Sequence, residues 1–167
     1  MPRVTFVKSA RKANPVAEVG QSYYWWKFRF GGKRYSRVPP KPSQLTQSEY
    51  LSSIRGLIER CEHAQGRTVM VSDFEDMRDE IVSDVTELRD TCQDSLDNMP
   101  EGLQQAPTGE LLQERIDALD SAESELENLE VEEPDDSLDD EEAELALNDA
   151  IDDALNEAIE ALSNCDI

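Results

Sequence analysis

The stretch YYWWKFRFGGKRYS at residues 23–36 decides the fold of the first part of the chain. Aromatic and basic residues flank the Gly31-Gly32 pair on both sides, a pattern that is typical of a β-hairpin with a two-residue turn. Such a turn would place Arg29 opposite Arg34 across the two strands. The sequence therefore predicts a hairpin in which cations and aromatic rings lie on neighbouring strands.

Side chains alternate between the two faces of a strand, so the predicted hairpin has one apolar face and one basic face. The apolar face forms an aromatic wall, which consists of Tyr24, Trp26, Phe28 and Phe30. The basic face combines cations with aromatic rings, and this combination can bind single-stranded nucleic acid by following the phosphates while bases stack. Its candidate nucleic-acid-binding residues are Tyr23, Trp25, Lys27, Arg29 and Arg34.

The residues around the hairpin complete a small module. Residues 4–7 alternate enough for a short strand, and the sequence TQSE at residues 46–49 is a capping box. Apolar residues behind this box recur at helical spacing to about residue 64. A helix over 47–64 would cover the aromatic wall, because an isolated hairpin is at best marginally stable in water. We therefore predict an α+β module at residues 1–66, with a hairpin-based sheet packed on one helix.

Charge divides the chain sharply. The formal net charge is −22, yet residues 1–70 carry 13 Lys and Arg against 4 Asp and Glu, whereas residues 71–167 carry 3 against 34. Nine of the ten aromatic residues also lie in the first part. So strong a polarity indicates two electrostatic roles on one chain, a basic aromatic module and an acidic arm at residues 73–167.

The acidic arm has the pattern of an all-helical region, which follows a linker or short strand at residues 67–72. The predicted helices span about 73–99, 109–130 and 138–164. The sequence SDFE at 72–75 is a second capping box, and SLDD at 137–140 starts the last helix. Regular apolar stripes run along these helices, and disordered acidic tails do not keep such stripes. A helical hairpin, a three-helix bundle or an intermolecular coiled coil would each bury the stripes, and the coiled coil would make a homo-oligomer.

Ordered helices would turn the acidic residues into one extended surface. Helices of about 20–27 residues span about 30–40 Å. The net charge of −31 over residues 71–167 then corresponds to about one charge per 1–1.3 Å, close to the ~1.7 Å of duplex DNA. Such a surface could occupy the cationic groove of a nucleic-acid-binding protein, although acidic surfaces also serve solubility alone. The candidate partner-binding residues are Asp76, Asp79, Glu80, Asp84, Glu87, Asp117, Asp120, Glu123, Asp152, Asp153 and Glu157.

The sequence contains few residues that are suited to catalysis. His63 is the only histidine, and no calcium loop, Walker loop or GxSxG elbow is present. The widely spaced Cys61, Cys92 and Cys165 favour buried free thiols over a disulfide framework. We therefore expect a protein that is not an enzyme and has no metal or cofactor. Since no run of 18 apolar residues and no signal peptide is found, we expect a cytoplasmic location and no membrane partner.

The block at residues 23–36, with its continuation PPKPSQLTQS at 39–48, resembles a block in small uncharacterised proteins of tailed bacteriophages. The resemblance covers about residues 3–60. Some relatives resemble zinc ribbons, with cysteine pairs before the first hairpin strand and after the second. The corresponding residues 14–17 and 36–39 of this chain contain no cysteine, so the resemblance implies a zinc-less variant. It also implies a phage origin and the host cytoplasm, but no activity.

Three functions are consistent with this sequence. The first is a phage-encoded protein-binding factor whose acidic helices mimic nucleic acid and inhibit a host nucleic-acid-binding or defence protein with a cationic surface. The second is an accessory protein that binds single-stranded nucleic acid with its basic hairpin. The third is a structural coiled-coil oligomer in which charge serves solubility only.

Overall fold

The computed structural model combines a small antiparallel sheet with helices, and it describes residues 1–67, 70–132, 134 and 139–167. The predicted α+β class with a helical C-terminal region is confirmed. The chain forms two units, Met1–Ser53 and Ile54–Ile167, which we call the sheet unit and the helical unit. The two units divide within a helix, whereas the predicted boundary at residues 67–72, of which 68 and 69 lie outside the described residues, stays a prediction.

The sheet unit contains three strands in the order β1-β2-β3. The strands are β1, Thr5–Val7; β2, Tyr23–Lys27; and β3, Lys33–Ser36. Both neighbouring pairs are antiparallel. A short 3-10 turn follows at Pro42–Leu45. The short strand that the alternation at residues 4–7 predicts is therefore present.

The hairpin turn is longer than the sequence predicts. Lys27 is paired with Lys33, so the loop between β2 and β3 contains the five residues 28–32 and not the Gly-Gly pair alone. Gly31 has a φ of +139°, a backbone conformation that residues other than glycine rarely adopt. The Nε2 of Gln47 donates a hydrogen bond of 2.7 Å to the Phe30 carbonyl, which fixes the same loop. The prediction that Arg29 pairs with Arg34 is wrong.

The change of register also changes the two faces of the sheet. Trp26 is paired with Arg34, so Arg34 lies on the face of the predicted aromatic wall. A register that differs by an odd number of residues moves every side chain of one strand to the opposite face. Trp26 and Phe28 are buried as the aromatic wall requires, but Phe30 is 74% exposed. The prediction of Phe30 as part of that wall is therefore wrong.

The helices occupy most of the remaining chain. Their bounds are α1, Glu49–Ala64; α2, Val71–Asp97; α3, Glu101–Gln104; α4, Pro107–Glu127; and α5, Asp140–Ser163. Three long helices in the acidic arm were predicted close to these bounds, and the short α3 was not predicted. The start of the last helix was placed at residues 137–138, which lie outside the described residues.

Helix α5 has a side-chain cap, whereas α2 has none. The Asp139 carboxylate accepts a hydrogen bond of 2.9 Å from the Glu142 backbone N–H, and acidic residues fill the first turn of α5, where the helix dipole stabilises them. Helix α2 begins after Met70, which makes no side-chain cap. The predicted capping box at residues 72–75 is wrong, because Ser72 already lies in the first turn.

The helical unit is an up-and-down bundle in which each long helix is antiparallel to the next. Between α2 and α4, Thr86 bonds Glu123 and Arg78 bonds the Leu129 carbonyl, so contacts move forward on one helix as they move back on the other. Helix α4 is likewise antiparallel to α5 and the residues that follow it, because Ala118 contacts Cys165 whereas Arg115 contacts Ile167. Helix α1 runs antiparallel to α5 and the residues that follow it, because Arg55 bonds Asp166 whereas Gln65 bonds Asn156. The residues of α1 from Ile54 therefore act as a fourth bundle helix.

Burial of the apolar stripes within a single chain explains this arrangement. Burial of one stripe takes about three to four aliphatic side chains per two helical turns out of water. This burial is the main stabilising contribution in a helix bundle. At the α3–α4 junction, a Cβ on the buried Gly109 would lie only 2.1 Å from the Gln104 carbonyl oxygen, so a glycine is needed there. The largest fully buried side chains among the described residues of the helical unit are Ile54, Cys61, Phe74, Ile81, Val85, Leu119, Leu126, Ile151, Leu155, Leu162 and Cys165.

Candidate functional site

The arginines of the helical unit lie mainly where two helices meet. Arg60 of α1 forms an ion pair of 2.8 Å with Asp84 of α2. Arg55 forms a two-point contact with Asp166, at 2.9 and 3.1 Å. Arg115 of α4 donates to the carbonyl oxygen of Ile167. These guanidinium groups therefore stabilise the bundle from within and do not form a separate basic surface.

Arg89 is the centre of the most extensive of these junctions. Its guanidinium contacts Asp90 of its own helix at 3.1 Å, and Asp120 of α4 at 3.3 Å, together with Glu123 of α4. The Thr86 hydroxyl donates a second hydrogen bond of 2.7 Å to Glu123. The hydrogen bond with Asp90, followed by the charge of Glu123 and the hydrogen bond with Asp120, holds the pKa of Arg89 above its usual value. One cation thus holds three carboxylates together at the α2–α4 joint.

Replacing Arg89 by methionine is expected to lower the free energy of unfolding by about 1–3 kcal/mol. The Glu123 side chain is only 18% exposed, so removal of the cation leaves a poorly solvated carboxylate beside Asp120 and Asp90. Urea unfolding followed by circular dichroism would measure the loss. The double variant Arg89→Met with Glu123→Gln should recover part of it, because it removes one of the repelling charges. Equal stability of Arg89→Met and the wild type would contradict this role.

The predicted partner-binding residues fall into two groups in the structure. Six of them lie in helix joints or in ion pairs with arginine: Asp79, Glu80, Asp84, Asp120, Glu123 and Asp152, the last accepting a hydrogen bond from the Gly66 N–H. The other five are exposed and form no ion pair with any described residue: Asp76, Glu87, Asp117, Asp153 and Glu157. The second group is therefore available to an external cation without loss of a bundle contact.

An acidic groove lies between α4 and α5. It has a volume of about 480 Å³ and is lined by Ser121, Ser124, Glu125, Asn128, Leu129, Glu157, Glu160, Ala161 and Asn164. Three carboxylates, those of Glu125, Glu157 and Glu160, line the groove without a basic lining residue among the described ones. The groove therefore concentrates negative potential on the surface that α4 and α5 share.

Sequence reasoning identified Glu157 in this groove but not Glu125 and Glu160. Glu157 and Glu160 are three residues apart on α5, a spacing that places side chains on the same helix surface. The antiparallel pairing of α4 with α5 then brings Glu125 beside them. The spacing on α5 was visible in the sequence, whereas the pairing of the helices was not.

The residues of the predicted basic face are separated by the observed register. Tyr23, Trp25 and Lys27 remain on one face of β2, and Arg34 lies on the other, where its guanidinium is 5.2 Å from the Phe28 ring centre. Arg29 lies in the loop, 5.3 Å from the ring centre of Phe30. Two residues that were not predicted, Lys33 and Tyr35, share the face of Trp25. The Lys33 ammonium lies 4.3 Å from the Trp25 ring centre.

All three cysteines are free and buried. Desolvation by burial raises the pKa of Cys61 to about 11 and that of Cys165 to about 11, and it also raises the pKa of Cys92. Because the thiolate is the reactive form, these thiols are poor nucleophiles at neutral pH. Their place in the structure is that of small apolar side chains in the bundle.

The thiols predict a loss of stability at alkaline pH. An unfolded thiol ionises near pH 9, whereas the folded Cys61 and Cys165 thiols ionise near 11. The contribution of these protonated thiols to the free energy of unfolding is complete below pH 9. It declines between pH 9 and pH 11, by about 2–3 kcal/mol for each thiol. Urea unfolding at pH 8, 9 and 10 would measure this decline. A Cys61→Ala, Cys165→Ala variant should show a smaller decline, and an equal one would contradict the assignment.

Metal and membrane sites are not indicated by the described residues. Within the ranges given above, no group of three His, Cys, Asp or Glu side chains is arranged to hold a metal ion. None of the helices in the described part of the chain is long and apolar enough to span a membrane. The only histidine, His63, lies in the last turn of α1 beside the guanidinium of Arg67, at 2.6 Å.

Comparison with known proteins gives no match. No protein-family model matches the chain, and neither does a curated protein or a solved structure. The function must therefore be inferred from the chain's own chemistry.

Proposed function

We propose that this chain is a protein-binding factor whose acidic helical bundle occupies the cationic nucleic-acid site of another protein. The partner would be a nucleic-acid-binding or defence protein of a bacterial host, and the chain would be encoded by a bacteriophage, as the block at residues 23–36 suggests. The proposed activity is inhibition by binding and not catalysis. One observation carries the proposal: five of the six arginines of the helical unit are engaged in its joints, with the exposed Arg67 as the exception, which leaves carboxylates as nearly all of the charged groups that face outward.

The charge density of the bundle supports this proposal. Residues 54–167 carry 6 arginines and no lysine against 36 Asp and Glu, a net charge of −30. Its longest helix, α2, has 27 residues and extends about 40 Å. The bundle thus carries about one net charge per 1.3 Å of length, against about one per 1.7 Å of duplex DNA. A protein groove that attracts DNA would attract this bundle at a rate raised by electrostatic steering.

Packing of the helices supports the proposal for a second reason. The exposed carboxylates are attached to helices whose apolar stripes are already buried, so an encounter does not have to order their backbone. A binder that is ordered in advance loses less conformational entropy on association than a flexible acidic tail. The bundle can therefore use its charge for affinity more fully than a disordered tail of the same composition.

The test is capture followed by competition. The full chain is immobilised and exposed to a nuclease-treated bacterial lysate at about 50 mM salt, where electrostatic binding is strong. Duplex DNA should release the captured protein at the same low salt. The released protein should itself bind DNA, and addition of the free chain should inhibit that binding. A captured protein that DNA cannot displace would contradict the proposal.

A variant of the α4–α5 groove locates the binding surface. The triple change Glu125→Gln, Glu157→Gln and Glu160→Gln removes three charges while it keeps side-chain size. It should weaken binding by about tenfold or more, since a charge-assisted contact is worth roughly 1.5–3 kcal/mol. The control changes the same three residues to Asp, which keeps the charge and should retain most of the affinity. Equal affinity of the Gln variant and the wild type would exclude the groove.

A further inference from the structure

One face of the three-stranded sheet has a chemistry that the acidic bundle lacks. Directly opposed residues of antiparallel strands lie on the same face of a sheet. The pairing of Trp25 with Tyr35 and of Lys27 with Lys33 therefore places all four side chains on one face, together with Tyr23. We call these five residues the aromatic platform. On the opposite face Trp26 is 3% exposed, whereas Phe6 of that face is 54% exposed.

The three rings of the aromatic platform are close together and partly open to solvent. The ring centres of Tyr23 and Tyr35 are 6.1 Å apart, and Trp25 is directly opposite Tyr35. All three side chains are half-buried, which leaves part of each ring accessible. Side chains directly opposite each other in a sheet have Cβ atoms about 5 Å apart, so the rings of two strands form one continuous surface.

Two lysines at one end of the platform complete its chemistry. Lys27 and Lys33 are exposed, and neither forms an ion pair with a carboxylate in the described part of the chain. Lys33 lies 4.3 Å from the Trp25 ring centre, so its charge is held over the platform. The whole sheet unit has ten basic residues and two acidic ones, Glu18 and Glu49, and neither of these two lies on a strand.

We infer that the aromatic platform binds single-stranded nucleic acid, with bases stacked on Trp25 and the tyrosines, and phosphates beside Lys27 and Lys33. Accessible rings next to cations that have no ion-pair partner are the combination by which proteins bind single strands without sequence preference. Duplex DNA is a poorer ligand for such a surface, because its bases are already stacked on each other. This activity is separate from that of the acidic bundle and does not depend on it.

The test uses the full chain and a fluorescein-labelled oligo(dT) of about 12 nucleotides, a length within the usual range for one single-strand site. Fluorescence anisotropy at about 50 mM salt measures the affinity. The expected result is binding of oligo(dT), and of oligo(U), at least about tenfold tighter than binding of the dT·dA duplex of the same length. Equal affinity for the single strand and the duplex would overturn the inference, as would no binding.

Neighbouring residues on β3 supply a matched pair of variants. Lys33→Ala and Arg34→Ala each remove one positive charge, but Lys33 lies on the platform and Arg34 on the opposite face. Lys33→Ala should weaken oligo(dT) binding by about fivefold or more, and Arg34→Ala by less than about twofold. An equal loss in the two variants would overturn the inference, because it would indicate attraction by net charge alone.

The stacking part of the inference rests on Trp25. Trp25→Leu should weaken oligo(dT) binding by about 5- to 100-fold, the usual loss for one stacked base, whereas Trp25→Phe should retain most of it. If Trp25→Leu proves unstable, tryptophan fluorescence of the wild type gives the answer. Because Trp26 is buried, quenching by oligo(dT) should come from Trp25 and disappear in Trp25→Phe. Quenching that persists in Trp25→Phe would overturn the inference.

Discussion

Replacing Leu119 by alanine is expected to lower the free energy of unfolding of the helical unit by about 2–5 kcal/mol. Leu119 lies in the middle of α4, and its side chain is 0% exposed. The change removes three buried carbon atoms and leaves a cavity between helices that are already well packed. Urea unfolding monitored by circular dichroism at 222 nm, a wavelength that reports helix, would measure the loss.

Leu145 of α5 provides the matched control for this prediction. It is a leucine in a helix like Leu119, but 63% of its surface is exposed. Leu145→Ala should therefore change the free energy of unfolding by less than about 0.5 kcal/mol. If the two variants are equally stable, the stripe around Leu119 is not the core of a packed bundle. The proposed inhibitor would then lose its rigid surface.

The affinity of the acidic bundle for its protein partner is expected to fall about 1,000-fold or more between 50 and 200 mM salt. At a charge density near that of DNA, the bundle gathers counterions, and a cationic partner releases them on binding. A slope of log affinity against log salt of about −6 to −10 corresponds to six to ten such contacts. Titration of the captured partner at four salt concentrations would measure the slope.

The Gln variant of the α4–α5 groove tests the origin of this slope. Removal of three contacting charges should make the slope less steep by up to about three. The variant with Asp at the same positions should keep the wild-type slope, because its charge is unchanged. An affinity that is the same at 50 and 200 mM salt would exclude nucleic-acid mimicry for this protein.

Much of the helical unit could be predicted from the sequence because an amphipathic helix has a recognisable local sequence pattern. Apolar residues recurred at helical spacing, and prolines marked the junctions, so the three long acidic helices were found within a few residues of their ends. Helix α1 was predicted as part of the module at residues 1–66, and the sequence did not show that its residues Arg55 and Gln65 contact Asp166 and Asn156. Nothing local in the sequence states which apolar stripe packs on which other stripe. That information lies in contacts between distant residues, such as Arg55 with Asp166.

The hairpin shows the opposite situation, in which a strong local pattern gave the wrong register. The Gly31-Gly32 pair fits a two-residue turn, but the observed loop contains five residues and uses Gly31 for its positive φ. The hydrogen bond from Gln47 to the Phe30 carbonyl comes from a residue far along the chain. A register that differs by three residues was enough to replace Arg34 by Lys33 on the aromatic platform.

The acidic surface was predictable as a composition but not as a geometry. Counting charges gave its sign and density, and helical spacing indicated which residues face outward. The sequence could not show that Asp84, Asp120 and Glu123 are engaged by arginines of neighbouring helices. It also could not show that Glu125 lies beside Glu157 and Glu160 in one groove.

The placement of the arginines has a consequence for proteolysis. Trypsin cleaves after lysine and arginine, and beyond Arg67 the chain offers it only Arg78, Arg89 and Arg115. Each of these three side chains is bonded to a distant residue, Arg78 to Leu129, Arg89 to Glu123 and Arg115 to Ile167, so the protease cannot draw it into its specificity pocket while the bundle is intact. Trypsin should therefore leave the native chain uncut beyond Arg67, and the rate at which Arg78, Arg89 and Arg115 are cleaved would report how often the bundle opens.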